Sequence, residues 1–135
     1  MNIEIIIKEL NKLINKAINN NEVPIAALIV CDNKIIARSY NKTEQKQNIL
    51  NHAEIDVIKK ASKKLNNWRL NNCDLYVTLE PCSMCKEIIK KSRIRNVYYF
   101  IKQNNEETES NPKYNYINNN NFASSLTSFF KSRRG

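Results

Sequence analysis

At 135 residues the chain is long enough to bury one real core and is read as a single domain over residues 1–135. Its net charge of +9 and pI near 9.5 suit an anionic partner, nucleic acid first, although 23 asparagines against one glycine show a bias toward Asn, Lys and Ile that would raise the charge with no partner at all. No apolar run approaches a membrane span and the N-terminus lacks the pattern of a signal peptide, so a cytoplasmic, reducing location is expected, with the four cysteines in metal or core roles rather than disulfides.

Ile3, Ile6, Ile7, Leu10, Leu13, Ile14, Ala17 and Ile18 recur at helical spacing and predict a first helix, ended by residues 19–21. Residues 24–31 form a continuous apolar run and residues 35–38 a shorter one, and Asp32-Asn33-Lys34 between them reads as a hairpin turn. Cys31 closes the first of these strands as a small hydrophobe. Residues 39–51 are polar without a clear period and read as a loop, in which Asn41, on composition alone, is a turn residue. A second helix is expected over residues 52–65, with Val57, Ile58, Ala61 and Leu65 inward and Lys59, Lys60, Lys63 and Lys64 on a solvated side.

A third strand at 74–77, a loop carrying Glu80 and Pro81, a helix at 83–91 and a strand at 96–101 follow in so few residues that the two strands should form a parallel crossover pair. That loop then leaves the carboxyl end of a strand, where open α/β sheets place their sites. Residues 113–117 suit a short edge strand, 118–121 a mobile loop, and 122–134 a final helix carrying Phe129, Phe130, Lys131, Arg133 and Arg134.

Two short stretches carry chemistry. His52 is the single histidine, with Glu54 two residues on, and Cys82 and Cys85 stand three apart after Pro81. Three such ligands are the number a catalytic zinc takes while keeping one position open. On a regular helix His52 and Glu54 would point to different sides, so both can address one ion only if it lies off the helix end. Cys82 and Cys85 fall on one face of a first helical turn, where the positive end of the helix favours thiolates. Alone, Cys-x-x-Cys also fits a redox pair, two core cysteines, or half of a structural zinc site with Cys31 or Cys73 as fourth ligand. The joint order His-x-Glu, then Pro-Cys-x-x-Cys, is the known signature of zinc nucleobase deaminases, in which the glutamate moves protons and does not bind the metal.

The stretch from Glu22 to Tyr99 resembles the bacterial tRNA-specific adenosine deaminases of the cytidine deaminase-like superfamily. The segments that carry the likeness are Glu22-Val23-Pro24, Tyr40-Asn41, His52-Ala53-Glu54-Ile55, Asn67-Trp68-Arg69-Leu70, residues 75–85, Ser92-Arg93-Ile94 and, near the C-terminus, residues 129–134. The resemblance implies a three-layer α/β/α cytidine deaminase-like fold with a central mixed sheet of four to five strands. It implies one zinc per chain on His52, Cys82 and Cys85, and Glu54 as the acid/base of hydrolytic deamination of adenosine to inosine at the wobble position of a tRNA anticodon. It further implies Asn41 holding the base, substrate contacts at Ala53, Pro81, Phe130 and Arg133, the anticodon arm as partner, and a homodimer. Residues 102–121 depart from the family's Gly-rich loop, Ala26 replaces a usual glycine, and Lys86-Glu87 replace small residues near the family's dimer interface. The rival expectations are a free-base or nucleoside deaminase of the same fold and a non-catalytic, zinc-stabilised RNA-binding subunit.

Overall fold

The computed structural model describes residues 1–103, 112–119 and 122–133. Its elements in chain order are α1 (Ile3–Asn19), β1 (Ala26–Cys31), β2 (Lys34–Tyr40), α2 (Thr43–Lys46), α3 (Ala53–Leu65), β3 (Cys73–Leu79), α4 (Ser83–Lys91), β4 (Asn96–Ile101), β5 (Lys113–Tyr116) and α5 (Ala123–Arg133).

Helix α1 starts at Asn2, whose side chain accepts the Glu4 amide at 2.8 Å and so satisfies one of the first-turn N–H groups. It buries Ile6, Leu10, Leu13, Ile14 and Ala17, while Ile3 and Ile18 at its ends stay exposed. β1 and β2 form the expected hairpin. Asp32 and Asn33 sit at φ 51° and 62°, the left-handed pair that matches a two-residue turn to the twist of its strands.

The sheet runs β2-β1-β3-β4-β5, with β1 antiparallel to β2 and β3, and with β3, β4 and β5 parallel. Each face carries a helical layer. Ala26, Leu28, Val30, Phe100 and Phe122 pack with α1, whereas Ala27, Ile29, Leu75, Val77 and Val97 pack with Val57, Ala61 and Ile89 of α3 and α4. β1 therefore reads as an unbroken apolar run because it is covered on both faces. The three-layer α/β/α architecture is present, with five strands in a mixed sheet.

Several expected boundaries move. β2 continues to Tyr40, which pairs with Ala26, and residues 43–46 form a helical turn inside what the polar composition reads as loop. Leu65 is exposed rather than inward, since Asn66 at φ 50° turns the chain away from the core. Phe122 precedes α5 and packs edge-on against Phe100, ring centroids 5.0 Å apart. Cys31 is half-buried at the end of β1, opposite the buried Cys73, and both are free thiols. Of the stretch that departs from the family, residues 104–111, 120 and 121 lie outside the described residues. No helix among the described residues is long and apolar enough to cross a membrane.

Candidate active site

β3 hands the chain from the core to the site. Its last residue, Leu79, pairs with Ile101, and the next amide, Glu80 N, donates to the Ile101 carbonyl at 2.9 Å, so the loop 80–82 is tied to the neighbouring strand. Cys82 then stands at the N-cap of α4 (φ −70°, ψ 169°), and His52 at the N-cap of α3 (φ −69°, ψ 149°). An N-cap side chain ordinarily bonds to a first-turn amide. Neither His52 nor Cys82 does so, which leaves the imidazole and the thiol for other work. Two helix starts, both with the positive end of a helix dipole, converge on one place.

His52 Nδ1 lies 3.4 Å from Cys85 Sγ and 4.0 Å from Cys82 Sγ, and the three ligand atoms all fall within 4.8 Å of one another. A tetrahedral zinc with ordinary bond lengths would place nitrogen about 3.6 Å from sulfur and the two sulfurs about 3.8 Å apart, so this donor set fits the ion. Burial pushes the Cys85 thiol far above its usual range and lowers the His52 imidazole, so His52 is a neutral donor. A cation is what would make a thiolate stable in that buried position.

Glu54, in the first turn of α3, is 5% exposed and shares a hydrogen bond with the Cys85 thiol. Burial raises its carboxyl to about 7, a value at which one group both accepts and releases protons near neutrality. Glu54, His52 and Cys82 line a cavity of about 260 Å³ together with Asn41, Thr43 and Glu44 and the apolar Val23, Ile25 and Leu79. Asn41 is 6% exposed. Its Oδ1 accepts from Thr43 Oγ1 at 2.9 Å, which leaves the amide nitrogen as its donor.

Glu80 forms another part of the wall and is no free charge. Its carboxylate receives Lys86 Nζ at 2.9 Å and the Gln103 amide at 3.0 Å. Lys86, which as a sequence feature reads as a charge at an interface, is thus turned inward and mostly buried, with its ammonium 5.2 Å from the Tyr114 ring centroid.

The structure brings His52, Glu54, Cys82, Cys85 and Asn41 together. Ala53 and Pro81 are buried beside the ligands, and the Ala53 side chain belongs to the core. Phe130 lies on α5, 47% exposed and edge-on to Phe129, and does not line the cavity. The Arg133 side chain lies outside the described residues. Sequence reasoning missed Thr43, Glu44 and Gln103 as parts of the site.

The MafB19-like deaminase family model matches residues 1–134. The tRNA-specific adenosine deaminase of Rickettsia bellii is 44% identical over 101 residues, 73% of this chain and 70% of that protein. A solved structure from work on A-to-I editing by tRNA:A34 deaminases at the wobble position superposes with a TM-score of 0.74 at 34% identity, covering 82% of this chain and 95% of the other. Guanine deaminase from Bacillus subtilis superposes with a TM-score of 0.70 at 26% identity, over 100% of this chain and 96% of that one. With a family match along nearly its whole length and this identity across most of a curated relative, the chain belongs to the MafB19-like deaminases and to the family of tRNA-specific adenosine deaminases.

Proposed function

We propose that this chain deaminates adenosine to inosine at position 34 of a tRNA anticodon, the reaction attributed to the A34 deaminases it resembles. The observation that carries the reading is Glu54, a buried acid opening on the same cavity as Asn41 and the His52–Cys82–Cys85 cluster. A structural metal site has no use for such a group.

Zinc on His52, Cys82 and Cys85 would supply a Lewis acid that brings the pKa of a water toward neutrality. Glu54 takes the proton from the attacking water and delivers it to the ring nitrogen beside C6. It then takes the remaining proton of the hydroxyl added at C6 and hands it to the amino group, which leaves as ammonia while the C6 carbonyl forms. Asn41, its carbonyl engaged by Thr43, offers N–H groups to the acceptor edge of the base. The apolar floor of Val23, Ile25 and Leu79 takes the face of the ring and keeps bulk water out. The backbone of Ala53 and Cys82 orients the attacked group. Outside the cavity, Phe130, Lys131 and Arg133 on α5 meet the anticodon arm, aromatic and basic groups suiting unstacked bases and phosphates.

The same reading makes the enzyme cytoplasmic and homodimeric. Lys86 supports the dimer, since pairing with Glu80 leaves no bare ammonium there at the start of α4.

The test is to incubate zinc-loaded protein with an anticodon stem-loop carrying adenosine at the wobble position, and with guanine, adenine and cytosine as free bases. Inosine in the stem-loop is expected. Xanthine from guanine with an unchanged stem-loop would establish the rival that the likeness to guanine deaminase favours. Absence of any product would refute both.

A further inference from the structure

Glu22 is fully buried, although it lies just past the end of α1. Its backbone is fixed there, with the Glu22 amide donating to the Ala17 carbonyl at 2.9 Å. Its side chain reaches across to the cavity wall. Oε1 accepts the Glu44 amide at 3.0 Å and Oε2 accepts the Gln45 amide at 2.5 Å. These are first-turn amides of α2, whose N-cap, Lys42, makes no side-chain capping bond. Each oxygen of one buried carboxylate thus takes a donor that the short helix leaves unmatched.

That matters because α2 cannot hold itself. Four residues lie far below the length at which a helix persists alone, and none of these four is buried. The wall 41–51 is kept in shape by polar bonds: Asn41 N to the Ile25 carbonyl (3.0 Å), Lys42 N to the Asn51 carbonyl (2.9 Å), Asn48 N to the Thr43 carbonyl (3.1 Å), and the two bonds to Glu22. Thr43, the first residue of the turn that Glu22 holds, in turn fixes the Asn41 amide through its hydroxyl. The path runs from the Glu22 carboxylate to the turn, from the turn to Thr43, and from Thr43 to Asn41.

We infer that Glu22 is a positioning residue for the reaction, holding the turn 43–46 so that Thr43 keeps the Asn41 amide aimed into the cavity. This rests on the deamination reading above. Glu22 touches neither the ligand cluster nor the cavity. Its effect on turnover is exerted through Asn41.

Glu22→Gln keeps the shape of the side chain but sets an NH2 group against one of the two amides. With zinc content unchanged, kcat/KM on the stem-loop should fall at least ten-fold in Glu22→Gln. In an Asn41→Ala background the same change should cost less than three-fold, because the group it acts through has gone. Wild-type kcat/KM in Glu22→Gln, or two losses that simply multiply in the double variant, would overturn the inference and leave Glu22 a residue of the fold. Should the variant not fold, wild-type amide exchange decides. The Glu44 and Gln45 amides should exchange at least ten-fold more slowly than that of Ile49 in the same exposed loop, and equal rates would overturn the hold. The exchange result stands even if wild type makes no inosine, so failure of the deamination reading and failure of the Glu22 hold are separable.

Discussion

His52 and Cys82, which line the cavity, are N-caps of α3 and α4, helices that bury Val57, Ile58, Ala61, Cys85 and Ile89. Asn41 and Thr43, which line it too, belong to a segment whose one helical turn buries nothing and hangs on polar bonds to Glu22 and Ile25 outside it and to Asn51 within it. One wall is positioned by the core, the other by hydrogen bonds. The ligand wall must hold three atoms to a fraction of an ångström for a metal to bind, and rigid elements do that best. The loop wall must receive a base and release it, which low-stability segments allow.

The sharpest way to break this comparison is to remove a ligand. Cys82→Ala should lose the one zinc expected per chain, abolish turnover and lower the melting temperature, since metal bound only by the folded state adds to its stability. Metal analysis of the purified variant checks it, and unchanged zinc content would refute the ligand assignment. Next in size is Glu54→Gln, which spares the ligands. Zinc and melting temperature should hold while kcat falls by about 10²- to 10⁴-fold, the usual range for a general acid–base group. A kcat within two-fold of wild type would make Glu54 a structural acid.

The same division explains what could be read ahead of the structure. α4 and β4 fall at residues 83–91 and 96–101 as expected, because each has an apolar periodicity of its own and clear polar ends. The cluster of His52, Cys82 and Cys85 was legible because its members lie at or near helix starts, so their spacing and their geometry carry the same information. The loop wall was not. The bonds that shape α2 come from a side chain more than twenty positions earlier, and no local period in residues 43–46 records them. The pairing of Lys86 was hidden for a similar reason. Its partner, Glu80, is six residues away across a turn, and only the fold shows the ammonium turned inward. β5, with Lys113, Tyr114, Asn115 and Tyr116, has no apolar run and is a strand through its parallel pairing with β4.

The smallest expected effect lies where the two walls are joined. Lys42, next to Asn41, reaches Asp56 of α3 at 3.2 Å, and the Ser39 hydroxyl donates to the same carboxylate oxygen. Burial opposes ionisation of Asp56, but the Ser39 hydroxyl and the Lys42 ammonium outweigh it and hold the carboxyl below its usual range. Burial also lowers the Lys42 ammonium despite the acid beside it, so both partners give up hydration and the net gain is small. Asp56→Asn should therefore cost about 1 kcal/mol of stability, as other partly exposed pairs do, and reduce kcat/KM by less than five-fold. The sign with pH follows from the lowered carboxyl. The stabilisation is full above the unfolded-state value of an aspartate, about 3.9, and disappears as pH falls through the lower folded-state value. Comparing the two proteins at each pH cancels any acid release of zinc that they share. Their stability difference should be constant from pH 7 to 5 and close below pH 4. A difference that persists unchanged at pH 3 would mean that Asp56 acts through packing, and that the loop is tied to α3 by something other than this charge.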